Sequence, residues 1–347
     1  MKKITAVFVS VLGIALLLIF PKEVSEGIKT GLENSARLLV PSLFPFMVLS
    51  SFMIRSDAYE YIGKIFFPLA RILRISEGAV SAVVLSFIGG FPVGAKCVRL
   101  LYGSGKIDMG EAERMMDFCV CSGPAFLITA VGVMMTGNVM SGVILYVSQI
   151  MSGLILGIIS GFFSKNDNKK RSVSSFENET DLINAFIDSS ADGARAIIEL
   201  TGLVAIFSAV MSVIFSIGVE SKIIVIFLEV TAACKSITGS GGALWMVSLA
   251  AGYGGMCVHF QIFALLKDMG ISRLRFEIFR VGNAILSSVI TYVICMCFDV
   301  SVQTFAISEN TNAEITSTSI MGAVSLVVMS AIFLMSLEQK NKMKLQT

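Results

Sequence analysis

The chain alternates long apolar stretches with short polar ones. In the first half, apolar runs cover Ile4 to Phe20, "LLVPSLFPFMVLSSFMI" (38–54), and residues 79–101, 119–138 and 141–163. In the second half they cover about 195–218, 221–237, 243–266 and 276–298, and a last one covers 319–337. Most have the roughly 17–25 residues a helix needs to cross a bilayer. Residues 22–37 and 181–194 are amphipathic and mixed in charge, and 58–75 form a basic amphipathic piece suited to a membrane interface. "DMGEAERMMDF" (108–118) reads as a polar helix, with Asp108 and Glu111 spaced as a capping pair. Pro41 and Pro45 remove two helical hydrogen bonds from the second run, which predicts a kink or partial unwinding there.

Composition turns this pattern into a class. With 55% hydrophobic residues, 15% charged residues and a mean hydropathy of +0.82, the chain carries too little charge to cover a soluble domain. The expected fold is an all-α polytopic membrane protein of about 8–10 membrane segments. The net charge of +2 comes from basic residues at segment ends, where they orient helices, so nucleic acid is not an expected partner. Lys2 and Lys3, then Lys165, Lys169, Lys170 and Arg171, and finally "KNKMK" place the N-terminus, the 164–180 linker and the tail in the cytoplasm. Residues 299–318 contain no Lys or Arg and are expected outside. The first run lacks an A-x-A-like cleavage site and reads as a retained membrane helix. These features divide the chain into residues 1–34, 35–163, the linker 164–180, residues 181–298, and residues 299–347.

The polar exceptions carry the candidate chemistry. "SFIGGFPVGAKCVRLLYGSGK" (86–106) has two glycines, Gly89 and Gly94, at phosphate-loop spacing. Ala95 then precedes Lys96, and Cys97 stands where a hydroxyl should reach magnesium, so the nucleotide reading fails. A deliberately broken helix fits better. Gly89, Gly90 and Gly94 permit close approach, Pro92 removes a donor, and the freed backbone must find a neighbour, a wet cavity or a ligand. Lys96 and Arg99 share a helix face, where they either hold an anion beside the half-helix or snorkel to the interface. "CVCSGPAFLI" supplies a second break at Ser122, Gly123 and Pro124.

Set above one another, "LSFIGGFPVGAKCVRLLYGSGKID" and "LAAGYGGMCVHFQIFALLKDMGIS" share a Gly-Gly pair, a polar centre, a Leu-Leu pair and a glycine before isoleucine. This aligns Gly89-Gly90 with Gly254-Gly255 and suggests a duplicated unit, an arrangement found in secondary transporters. Glu229, with Thr231 two residues on and Lys235 six on, has no basic i±3 or i±4 partner in its own segment and so is a candidate to face a site, a coupling cation or Lys96. Glu199 instead follows Arg195 by four, and the two can neutralise each other. His259 and Gln261 follow the second break, where His259 is either a structural residue or part of the site. Asn283 suits a hydrogen bond between helices. Lys267, Arg273, Arg275 and Arg280 read together as one cytoplasmic basic loop. The seven cysteines and one histidine lack metal-ligand spacing, so no metal or cofactor is expected. Neither a zinc-protease nor a serine-hydrolase motif is present, and an enzyme is not expected.

"GGFPVGAK", "GKIDMGEAER", "CSGPAFLITAVG" and "LEVTAACK" resemble the nucleoside-recognition (Gate) domain membrane proteins, and among them the YlbJ-like sporulation integral membrane family. The resemblance spans roughly residues 35–300. It implies a distant relation to concentrative nucleoside transporters, with two inverted repeats that each contain re-entrant or broken helices. It also implies a role in sporulation, with dipicolinic acid moving toward the forespore across its outer membrane. By motif, the substrate-binding positions would be the break from Gly89 to Lys96, then Ser122-Gly123-Pro124, and Glu229 with Thr231. "GGMCVHFQ" matches no nucleoside-binding motif of that family, and a dianionic aromatic acid suits Lys96 and Arg99 better than a neutral nucleoside. The partners expected are a small-molecule substrate and membrane lipid. A nucleoside transporter, a non-transporting scaffold, the choice of Na+ or H+ as coupling ion, and a homo-oligomer stay open.

Overall fold

The computed structural model describes residues 2–163, 181–219 and 221–298, all helix and connection. The expected external loop at 299–318, the last helix at 319–337 and the linker at 164–180 lie outside the described residues. The helices are α1 (Lys2–Ile19), α2 (Pro21–Asn34), α3 (Val40–Arg55), α4 (Tyr59–Ile65), α5 (Phe67–Leu73), α6 (Val80–Gly89), α7 (Phe91–Gly103) and α8 (Met109–Met115). They continue as α9 (Val139–Phe163), α10 (Leu182–Ser216), α11 (Lys222–Leu228), α12 (Val230–Gly239), α13 (Leu244–Tyr253), α14 (Gly255–Leu265) and α15 (Arg273–Cys297). Two π-helical segments, Ser35–Leu39 and Ala125–Met135, complete the set.

α9, α10, the α13–α14 pair and α15 are long and apolar enough to cross a membrane, and α1 with α2, bent by 102°, makes a fifth candidate. Such lengths and compositions define a polytopic integral membrane protein. The described residues thus hold fewer spans than the apolar runs predict, because several runs turn back or start unwound. Pro41 and Pro45 do not unwind their helix. α3 is continuous through Pro45, and the distortion sits one turn earlier, in the π-helical turn that leads into Pro41.

α10, about 50 Å long at 1.5 Å per residue, is the frame of the second half. α2 and α3 run antiparallel to it. Gly27 packs on Ala209 and Gly31 on Ala205 so closely that a β-carbon at either glycine would approach backbone to 2.6–2.7 Å. This is the small-residue contact that lets membrane helices approach when no hydrophobic force drives them together. Farther along, Val48 meets Gly193, and Arg55 pairs with Asp192.

α6 and α7 form a hairpin with its tip at Gly90. Its two open ends meet at Tyr59, whose ring touches Gly78 and lies 5.7 Å beneath the Lys106 ammonium. α11 and α12 form a second hairpin with its tip at Glu229, and its open ends are joined by Lys222 donating to Ser240 at 2.8 Å. The second hairpin follows the far end of α10, whereas the first opens beside the Arg55 end, so the two enter from opposite ends of the bundle.

α15 runs antiparallel to both α9 and α13, and a polar ladder ties the three. Asn283 donates to Gln149 at 3.2 Å and to the Gly252 carbonyl at 3.0 Å, and it accepts from Ser152 at 2.7 Å. Gln149 and Ser287 donate in turn to the Ser248 carbonyl. Asn283 therefore bridges helices, as its position in an apolar run predicts.

The end of the bundle where α3, α7 and α9 finish is charge-rich, and α8 clasps it. Asp108 caps α8 by accepting from the Glu111 amide at 2.7 Å. Glu111 accepts from the Ser76 amide at 2.5 Å, Glu113 from the Ser272 amide at 2.9 Å, and Arg114 donates to the carbonyls of Leu73 and Arg74. Asp117 receives both arms of Arg275, at 3.0 and 2.6 Å, and the Ser160 hydroxyl at 2.5 Å. Burial lifts the Asp117 carboxyl above its ordinary value, although Arg275 and Ser160 pull it the other way. For Lys106, burial lowers the ammonium, but Tyr59 and Asp57 outweigh it and hold it above its ordinary value.

Candidate functional site

Four interruptions meet in the middle of the bundle. At the first hairpin tip, Gly90 has φ +91° and ψ −172°, a conformation open to glycine alone, and its Cα faces Gly123 of the irregular segment 119–123. A β-carbon at Gly90 would stand 3.1 Å from the Gly123 nitrogen, and one at Gly123 would stand 3.0 Å from Gly90. At the second tip, Glu229 is extended, and a β-carbon on Gly255 would reach its nitrogen at 3.0 Å. Gly254 and Gly255, both at positive φ, interrupt the α13–α14 span. Gly254 also faces the Phe91 ring across the bundle. Each hairpin tip thus rests on the break of a neighbouring segment, and Phe91 joins the two pairs.

Arg280 fastens this crossing. Arg280 is 1% exposed and donates to Val120 in the irregular segment, to Gly252, and to Tyr253 at 3.3 Å, with the Phe91 ring 5.5 Å from its guanidinium carbon. These carbonyls have lost helical partners at the breaks, and a buried unpaired carbonyl is costly. One planar guanidinium with five donors satisfies several of them together. Ser122 adds a bond across the same joint, donating to the Ala251 carbonyl at 3.2 Å.

Gly89, Gly90 and Pro92 lie at the first tip, and Gly94 lies one turn along α7 against the Cys119 carbonyl. Ser122 and Gly123 are non-helical, and Pro124, in the α region, opens the second π-helical segment. Glu229 spends both carboxylate oxygens on the start of α12, accepting from the Thr231 amide at 2.9 Å and the Ala232 amide at 2.5 Å. This N-cap, and not Lys96, is its partner.

Lys96 is buried on the far side of α7 and donates to the Met47 carbonyl of α3 at 3.4 Å. Arg99 is exposed in a 2.9 Å pair with Asp268, so the two cations do not form one binding face. His259 is fully buried, and its two nitrogens lie 2.9 Å from Glu277 and 2.9 Å from the Tyr253 carbonyl. Gln261 reaches only the Cys257 sulfur, at 3.5 Å. Arg195 and Glu199 lie on exposed positions of α10.

The sequence reading missed Arg280, Glu277 and Gln149. It grouped Arg280 with a basic loop, whereas the structure seats it inside α15. A signal was present: Arg280, Asn283, Ser287 and Thr291 recur at helical spacing in an apolar segment, and all four are buried. The aligned Gly-Gly pairs also prove to run side by side in the same direction. Phe91 meets Gly254 at one end, and Arg99 meets Asp268 at the other. The alignment therefore set a hairpin tip against an interrupted span.

The architecture is that of a polytopic membrane protein whose centre is made of broken helices. The chain is similar to the sporulation integral membrane protein YlbJ of Bacillus subtilis (strain 168), 21% identical over 313 residues that cover 78% of this chain and 77% of the relative. No family model matches the chain, and no solved structure matches it.

Proposed function

We propose that this protein is a secondary transporter or facilitator of a small polar, anionic metabolite. The observation that carries this reading is the meeting of two re-entrant tips, from opposite ends, with two interrupted segments. Transporters place their substrate sites where unwound backbone meets half-helix ends near the midplane. In this reading residues 35–163 and 181–298 are inverted copies, each a hairpin, an interrupted segment and a long helix. Gly90 then corresponds to Glu229, and 119–124 to Gly254-Gly255.

Four helical starts, at Phe91, Ala125, Val230 and Gly255, converge on the crossing, and helix starts favour anions. Glu229 neutralises one of them. A glycine stands on at least one side of each close approach, at Gly90 against Gly123 and at Gly255 against Glu229, so small backbone shifts would open a path. The charge-rich end carries Arg71, Arg74, Lys106, Arg114, Lys267 and Arg273, which under the positive-inside rule supports a cytoplasmic side for it. The name of the B. subtilis relative supports a sporulation role, and the sequence resemblance to the YlbJ-like sporulation family is what suggests dipicolinate as cargo and the outer forespore membrane as location.

The test is uptake by vesicles containing the purified protein, with labelled dipicolinate and labelled nucleosides compared. Saturable dipicolinate uptake is expected. Nucleoside uptake alone would replace the cargo, and uptake of neither would leave a scaffold. Lys96 donates to α3 on the far side of α7 and Arg99 is paired with Asp268, so Lys96→Gln and Arg99→Gln should both leave uptake unchanged. A large loss of uptake in either folded variant would move the path away from the crossing.

A further inference from the structure

We propose that His259 and Glu277 together bind one proton, and that H+ is the cation coupled to substrate movement. The second clause rests on the transport reading. The first rests on hydrogen-bond chemistry at a fully buried imidazole.

The two ring nitrogens face two acceptors. The Tyr253 carbonyl, 2.9 Å from Nε2, can only accept, so this contact requires a proton on Nε2. Nδ1 lies 2.9 Å from the Glu277 carboxyl, and that contact requires a proton either on Nδ1 or on the carboxyl. A neutral histidine beside an ionised glutamate holds one proton for two contacts. Both contacts are satisfied only when the pair holds one more proton, as imidazolium with carboxylate or as imidazole with carboxylic acid. Burial enforces this count, because no water replaces a missing donor at a side chain that is 0% exposed. Glu277, with 31% of its side chain exposed, is the route by which that proton exchanges.

The site is placed to act on the helix break. Tyr253 is the last residue of α13 and His259 lies in α14, so the Nε2 contact clasps the span across Gly254 and Gly255. When the proton leaves and Glu277 keeps the remaining one on Nδ1, bare Nε2 faces the carbonyl as a second acceptor, and the clasp opens. The Tyr253 carbonyl then keeps only Arg280, at 3.3 Å. Facing the pair are Arg280 of α15, whose charge opposes the added proton, and Tyr253 of α13, whose hydroxyl lies 3.8 Å from the Met256 sulfur. Phe276 packs on the imidazole, and Phe227 of α11 stacks on Tyr253. Cys257 lies two residues before His259, and the nearby Glu229 has both oxygens committed to α12.

The chain contains a single histidine, so 15N-histidine labelling gives one pair of ring signals. In nanodiscs, Nε2 should carry a proton at neutral pH and lose it as pH rises. Glu277→Gln should move that transition by at least about one pH unit, and Glu277→Asp should move it less. A bare Nε2 at every pH, or a transition indifferent to Glu277→Gln in a variant with wild-type melting, would overturn the proton site. In vesicles, a pH gradient should drive dipicolinate uptake with proton movement reported by a trapped dye. Uptake that ignores the gradient would overturn H+ as the coupling ion. If no dipicolinate or nucleoside enters, the transport reading falls together with the coupling, and the nitrogen titration still decides the proton site.

Discussion

Replacing Arg280 with Gln should release the irregular segment 119–123 without unfolding the protein. The guanidinium donates to Val120 on that segment and to Gly252 and Tyr253 at the end of α13, in a position with 1% exposure. A hydrogen bond to a charged group contributes about 1.5–3 kcal/mol. Counting two at the low end gives a loss of about 3 kcal/mol, or on the order of a hundredfold more of the open state. Val120 lies between Cys119 and Cys121, both buried free thiols, so opening exposes two reporters that are silent in the closed protein. Peptide-resolved maleimide labelling below the melting temperature should therefore show Cys119 and Cys121 reacting about a hundredfold faster in the variant. Cys234, buried in α12 of the other hairpin, should keep its rate. If Cys121 reacted within threefold of wild type in a folded variant, Arg280 would not be what holds the segment, and the account of the crossing would be wrong.

Other consequences can be checked by melting experiments in detergent. Gly94→Ala would drive a methyl into the Cys119 carbonyl and to 2.7 Å from Ser86 Cβ, costing about 1–3 kcal/mol. Gly103→Ala, with no atom within 4 Å, should melt like wild type and so separates crowding from helix propensity. Asn283→Leu loses bonds to Gln149, Ser152 and Gly252 and should cost about 1–2 kcal/mol at roughly 0.6 each. A double-mutant cycle with Ser152→Ala should then show coupling, and strict additivity would deny the ladder. Because burial raises the Asp117 carboxyl, the folded chain holds its proton more tightly than the unfolded one. That stabilisation is full below the ordinary carboxylate value and is lost as pH rises through the raised one. Asp117→Asn should flatten the melting temperature against pH across that window.

The helices and their breaks were legible because local chemistry dictates them. Apolar runs cannot leave backbone groups unpaired in lipid, and Gly90, Pro92, Gly123 and Gly254 mark where helical pairing stops. What stayed hidden was which break meets which. Gly90 finds Gly123, thirty-three positions later, and Gly255 finds Glu229, and no local propensity encodes such a meeting. Glycine identity led the alignment toward Gly254-Gly255, although the second hairpin is turned by an extended glutamate that caps its own helix. Arg280 was misread for a related reason. Charge at a segment end suggests an interface, but its periodicity with Asn283, Ser287 and Thr291 marks a face turned inward.

The long-range bonds also change the meaning of the boundary at residues 164–180. Arg280 to Val120, Arg275 to Asp117, Ser122 to Ala251 and Asn283 to Gln149 each join a residue before that boundary to one after it. α2 and α3 lie along α10 in the same way. The halves are interleaved parts of one core, and neither contains a complete set of partners for its own broken backbone. Covalent continuity across the boundary is then redundant once the core has formed. Two separately made polypeptides, one ending near Phe163 and the other beginning near Asp181, hold complementary sets of donors and acceptors for each other.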